Sequence, residues 1–129
     1  MSIRKGPNIR SMFSLLDTAL TFFEKMKFAH NERLGYLTFC PTSLGSTIRA
    51  LVHIQLPKLG MNVKRLKALA SQHNVQIRGV AGENSALAGS VVDVSNVRRL
   101  GINEVEAVVQ MLAGVEALVA YEEAESDSN

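Results

Sequence analysis

Tyr36-Leu37-Thr38-Phe39-Cys40-Pro41-Thr42-Ser43-Leu44-Gly45-Ser46-Thr47-Ile48-Arg49-Ala50 leads from an apolar, β-rich segment into a lone cysteine, then through a loop of small residues to an arginine. Residues Gly35 to Phe39 alternate and are rich in aromatic and β-branched types, which predicts a strand delivering Cys40 at its end. Pro41 and Gly45 force irregular chain after it. From Ile48 to Leu56 the alternation resumes and stops at Pro57, a second strand. Arg49 and His53 are both odd-numbered and four apart, so a regular strand projects them from one face about 13 Å apart. They could then meet two ends of one elongated ligand.

Outward from this stretch, helices and strands mix with few strong breaks. Gly6-Pro7-Asn8 interrupts the chain after a short segment at Ser2-Ile3-Arg4, and Asn8 can cap a helix beginning at the next residue. Ile9, Met12, Phe13, Leu16, Leu20, Phe23 and Met26 recur at three and four, one stripe of an amphipathic helix to about Lys27 that is expected to face the core. Asn62 caps a helix from about Val63 to His73, with Leu66, Leu69 and Ala70 inward and Lys64, Arg65 and Lys67 on a solvated face. Val75 to Gly79 is a short strand containing Arg78, and Gly82 to Gly89 a small-residue surface loop. Val91 to Val94 is a further strand. Asn103, with Glu106 three residues on, opens a terminal helix whose stripe is Val105, Val108, Val109, Leu112, Val115 and Leu118. Glu122 to Asn129 is expected to be an acidic, frayed tail. The order indicates α+β, a partial antiparallel β-sheet backed by helices.

Bulk properties narrow the function. With 129 residues and 47% hydrophobic content, one core can be built. A net charge of +2 gives no electrostatic footprint for nucleic acid or an anionic membrane surface. No apolar run approaches the roughly 20 residues needed to cross a bilayer. One cysteine cannot make an internal disulfide, so the chain is expected to be cytoplasmic, and Cys40 is either core filler or chemistry.

Arginine forks match phosphate oxygens and keep their charge. Arg49 and Arg78 lie at predicted strand ends, where a pocket can collect them, although a lone arginine there is more often a surface residue. An isolated histidine such as His53 is commonly a satisfied core residue, and Glu83 can be an exposed loop acid.

The cysteine loop resembles that of the phosphagen (ATP:guanidino) kinases. The resemblance runs from Met1 to about Glu123, is strongest toward arginine kinases, and covers the last third of such an enzyme. It implies domain limits of 1–123, the C-terminal part of a catalytic domain, with 124–129 as tail. It further implies ATP or ADP as cofactor, Mg²⁺ held through the nucleotide phosphates, and a guanidino acceptor, most simply arginine. By the same resemblance Cys40 and Glu83 are catalytic at the guanidinium. Arg49 and Arg78 match phosphate-binding positions and His53 the position beside the adenine. The cofactor-binding segments comprise Arg49, Ala50, Leu51, Val52 and His53, then Arg78, Gly79, Val80, Ala81, Gly82 and Glu83, with Asp93 downstream. Gly79, Gly82 and Gly89 would permit loop closure.

Departures from the family pattern are specific. Ser43 replaces an asparagine, Ser46 a threonine and Leu51 a serine. Gly79-Val80-Ala81-Gly82-Glu83-Asn84 lacks an arginine and a histidine of the arginine kinase segment. Asp93-Val94-Ser95-Asn96-Val97-Arg98-Arg99 keeps most of its counterpart. Two readings emerge: a segment of a phosphotransferase, expected to be inactive in isolation, or a non-catalytic nucleotide-binding or interaction relic. A cut sheet is expected to leave an exposed edge and to favour self-association.

Overall fold

The computed structural model describes residues 2–6, 8–23, 25–79 and 91–127. Its centre is a three-stranded antiparallel sheet of β3 (Leu51–Gln55), β5 (Val91–Asn96) and β4 (Val75–Gly79), with β5 in the middle. β5 pairs Val94 with Val52 and Ile77, and Asp93 with His53 and Arg78. Because side chains alternate along a strand, Val92 and Val94 face one way and Asp93 and Ser95 the other. The apolar face packs on α2 (Val63–Gln72) and α3 (Glu104–Asp127), giving a core of Leu56, Leu59, Leu66, Ala70, Val75, Ile77, Val92, Val94 and Leu118. This is the α+β arrangement that the sequence indicates.

The helix starts follow the capping residues. Asn8 Oδ1 accepts from the Ser11 amide at the start of α1 (Ile9–Phe22), and Asn62 Oδ1 accepts from the Arg65 amide at the start of α2. At α3, Asn103 and Glu106 exchange reciprocal bonds of 2.9 and 2.8 Å, a complete capping box. Arg65, on the face expected to be solvated, pairs with Glu125.

Several sequence expectations need correction. α1 ends at Phe22, short of Lys27, and none of its residues is buried. Leu20, Phe23 and Met26 of its stripe are exposed, so the stripe does not form core among the described residues. With Leu20, Phe22 and Phe23 exposed among the described residues, the last turn gains little from packing, and propensity alone does not extend a marginal helix. The strand expected over Gly35 to Phe39 is only β2 (Gly35–Tyr36), since its partner β1 (His30–Asn31) is two residues long. The ladder stops after the Leu37 amide bonds to the Ala29 carbonyl. β3 begins at Leu51, later than Ile48, because the flanking chain bonds instead to the buried Asn96 side chain. Asn96 Oδ1 accepts from the Ala50 amide and its Nδ2 donates to the Ile48 carbonyl. The loop expected at 82–89 lies outside the described residues.

The terminal helix differs most. Its inward line is Ala107, Met111, Gly114, Leu118 and Glu122, while Val105 and Val109 are exposed. α3 is apolar on more than one face, so periodicity alone does not choose among stripes. The choice is made at Gly114, where any Cβ would overlap Val75 Cγ1. Nor is Glu122 part of a frayed tail: the helix runs to Asp127, and the Glu122 carboxylate is buried. It accepts from the Lys58 amide at 2.7 Å and the Leu59 amide at 2.9 Å, closing the turn that precedes α2.

These two contacts generate stability predictions. Glu122→Ala leaves two amides without their acceptor and should lower the unfolding free energy by about 1.5–3 kcal/mol, measured by urea titration. Gly114→Ala should cost about 1–3 kcal/mol by forcing α3 off β4, despite the better helix propensity of alanine. A stabilised Gly114→Ala variant would contradict the packing assigned to α3.

Candidate functional site

The polar face of the sheet assembles the site. In the antiparallel register, His53 and Arg78 lie directly opposite Asp93 on its two sides, so the three share one face as neighbours. Arg49, two residues before β3, turns its Nη2 to Asp93 Oδ2 at 3.0 Å. Arg78 Nη2 donates to Gln76 Oε1 at 3.2 Å. Arg49 therefore lies at the sheet beside Asp93, and since β3 begins at Leu51 it is not in the regular strand that the expected spacing from His53 assumed. Leu51 pairs with Ser95 on the same face as Asp93, Val52 lies on the core face, and Ala50 and Gly79 are buried.

A third arginine joins the first two. Arg99 follows β5 and donates from Nη1 to the Thr42 carbonyl at 2.7 Å. Its own carbonyl accepts from the Ser46 amide at 3.0 Å. The approach requires Gly45, with φ +103°, because a Cβ there would overlap the Arg99 carbonyl. The Arg99 guanidinium is held below the ordinary arginine range, first by burial and then by the positive charges of Arg49 and Arg78, with Cys40 acting in the opposite direction. Arg49, Arg78 and Arg99 thus form one electrostatic cluster, with Asp93 as the carboxylate paired to it.

Arg99 also connects the cluster to the cysteine loop. Residues Pro41–Ser43 form a 3-10 turn, and Cys40, exposed, lies at its start with Sγ 3.0 Å from Thr42 Oγ1. The thiol is lowered below its usual range by the Thr42 hydroxyl, then by the Thr42 backbone, and further by Arg99 and Ser43, against a desolvation effect that raises it. A lowered thiol supplies more thiolate at neutral pH. The loop can therefore present a negative sulfur near fixed positive charge.

The structure brings Arg49, His53, Arg78 and Asp93 together on the sheet and ties Cys40 to them through Thr42 and Arg99. Val80, Ala81, Gly82 and Glu83 lie outside the described residues, as does Gly89. Arg99 was missed as a site residue by sequence reasoning; the Arg98-Arg99 pair that follows β5 marks the place but not which of the two turns inward. An open cleft of about 430 Å³ lies elsewhere, between β1, β2 and the start of α3. Glu32, Glu104 and Glu106 line it, and it includes none of the clustered arginines.

The thiol arrangement is testable by alkylation. The rate of iodoacetamide reaction at Cys40 should rise with pH through an inflection below that of a free thiol. Thr42→Val should move the inflection upward, and Arg99→Gln should move it upward by less. An inflection unchanged in Thr42→Val would contradict the assigned hydrogen bond.

Comparison with known proteins gives the family. A family model described as ATP:guanido phosphotransferase, C-terminal catalytic domain, matches residues 1–125. The arginine kinase of Artemia franciscana is 47% identical over 124 residues, covering 95% of this chain and 35% of that protein. The arginine kinase of Limulus polyphemus is 46% identical over 125 residues, covering 96% and 35%. Among solved structures, a lombricine kinase superposes with a TM-score of 0.85 at 31% identity, covering 98% of this chain and 36% of that one. The duplicated taurocyamine kinase from Schistosoma mansoni, bound to transition state analog components, gives 0.79 at 41% identity, covering 92% and 17%. The chain spans about a third of the length of the arginine kinases it matches. Its sequence and its fold make it a member of the ATP:guanido phosphotransferase family, corresponding to the C-terminal catalytic domain.

Proposed function

We propose that this chain supplies the phosphate clamp and thiol loop of an ATP:guanidino phosphotransferase that acts on arginine. The observation that carries this reading is that Arg49 and Arg78 lie beside Asp93, with Arg99 within electrostatic reach of both arginines and bonded to the Cys40 loop. An excess of guanidinium charge suits a polyphosphate, because planar forks offer several donors to its oxygens. Phosphoryl transfer needs mainly such positioning and charge neutralisation.

In the reaction, a guanidino nitrogen forms a bond to the γ-phosphorus while the bond to the β–γ bridging oxygen breaks and ADP leaves. ATP would supply the phosphoryl group, and Mg²⁺ carried by the nucleotide would neutralise part of the phosphate charge. Arg49 and Arg78 hold phosphate oxygens, and Ala50, Leu51 and Val52 carry the backbone that presents them. His53 flanks the adenine. The Cys40 thiolate pairs with the acceptor guanidinium, and Glu83 grips it and receives its proton, with Gly79, Val80, Ala81 and Gly82 forming the segment that carries Glu83. The reading places the protein in the cytoplasm. Among the described residues, no helix is long and apolar enough to cross a membrane.

Calorimetric titration with Mg-ADP tests the clamp. Arg49→Ala and Arg78→Ala should each weaken binding by about 1.5–3 kcal/mol, the range for charge-assisted hydrogen bonds. Unchanged affinity in both would remove the assignment. Phosphorus NMR with Mg-ATP and a panel of guanidino compounds should show no phosphoguanidine resonance from this chain alone; a resonance would overturn the expected inactivity and identify the acceptor.

Self-association is a further part of the proposal. β3 and β4 flank β5 as the outer strands of the three-stranded sheet, and Leu20, Phe22, Phe23 and Met26 are exposed. Sedimentation should show concentration-dependent assembly. A monomer throughout the micromolar range would remove that part.

A further inference from the structure

The segment that carries Arg49 is irregular and strained. β3 begins only at Leu51, so strand pairing does not fix the backbone at Arg49. Just before it, Gly45 and Thr47 both have positive φ, +103° and +58°. Glycine adopts such angles freely, whereas a β-branched residue is strained there and stays only where its surroundings over-determine it. Bonds outside the ladder must therefore hold residues 45–50.

The side chain of Asn96 supplies them. Asn96 ends the row of β5 residues that face the core, two positions after Val94, and it is fully buried. A buried amide is costly unless its donors and acceptor are satisfied, and an apolar residue would suit that row. Here the amide is satisfied entirely by backbone. Oδ1 accepts from the Ala50 amide at 2.9 Å, and Nδ2 donates to the Ile48 carbonyl at 3.1 Å and to the Arg98 carbonyl at 2.7 Å. The Asn96 backbone amide adds a bond to the Ala50 carbonyl at 3.3 Å. One side chain thus grips the residues on either side of Arg49 and the residue before Arg99.

We propose that Asn96 is a positioning residue for the arginine cluster, fixing the backbone beneath Arg49 and Arg99 so that their guanidiniums keep one spacing across the phosphate site. The inference rests on the nucleotide reading given above. Asn96 lies on the core face of the sheet, opposite to Asp93, so it acts through the backbone of its partners.

Mg-ADP titration of the parent chain, Asn96→Ser and Glu122→Ala separates positioning from general stability. Serine is uncharged, fits the site and is too short to bridge the three backbone groups. Asn96→Ser should weaken binding about tenfold, within the range for residues coupled through a shared backbone shift. Glu122→Ala also removes two bonds to backbone, but between α3 and the turn before α2, and should change affinity by less than about twofold. In an Arg49→Ala background Asn96→Ser should cost less than about threefold, since residues acting through one another are not additive. Unchanged binding in Asn96→Ser, the same loss in Glu122→Ala, or equal losses in both backgrounds would overturn the proposal. Should Asn96→Ser fail to fold, Asn96→Thr is judged by the same criteria.

Two readouts need no nucleotide. Hydrogen exchange should show the Ala50 amide protected in the parent and exposed in Asn96→Ser. The inflection of Cys40 alkylation should move upward in Asn96→Ser, by no more than in Arg99→Gln, and should not move further when the two changes are combined. If the parent binds no ADP, the nucleotide reading falls, and these two measurements decide the positioning by themselves. An unprotected Ala50 amide in the parent, or an inflection that Asn96→Ser leaves in place, overturns it.

Discussion

The two-faced character of β5 is the constraint on which the rest of the structure depends. Its successive residues Val92, Asp93, Val94 and Ser95 must point alternately to opposite sides. One side is therefore sealed by α2 and α3 over Val92 and Val94, while the other carries Asp93 between His53 and Arg78. Stability and chemistry are built from the same short strand. Shifting the register by one would bury Asp93 in the apolar core and move Val94 onto the polar face.

Around this strand the chain uses close backbone approaches to set distances. Gly114 lets α3 settle against Val75, and Gly45 lets the cysteine loop meet the segment after β5. The second approach matters chemically. It places Arg99 where its side chain reaches the Thr42 carbonyl and its charge reaches Cys40. The loop that carries the thiol and the strand that carries Asp93 are thus joined through one arginine, and the Glu122 carboxylate ties the end of α3 to the turn before α2.

Much of this was legible in the sequence where a residue acts locally. Asn8, Asn62 and the Asn103–Glu106 pair marked helix starts because a capping side chain bonds to amides within its own turn. β4 was read with its full bounds because alternation and a flanking loop coincide there. The cysteine loop and the segments holding Arg49, His53 and Arg78 were readable through family resemblance. Arg99 was not singled out, since nothing about a charged pair after a strand indicates which of the two turns inward. The inward line of α3 was read only in part: Val115 and Leu118 pack on the core as expected, whereas Val105 and Val109 are exposed, because valine and alanine occur on several of its faces.

The sequence by itself determined the α+β class, the helix starts, the family and the residue types available for the site, since these depend on short-range spacing and composition. Tertiary structure alone decided that α1 buries none of its residues among the described ones, that Glu122 belongs to the interior, and that Asp93 bonds to Arg49 across 44 positions of chain. Each of these depends on which surface another element covers. Periodicity describes one element at a time, and a contact between distant segments is fixed only when the sheet register and the close approaches at Gly45 and Gly114 have been set.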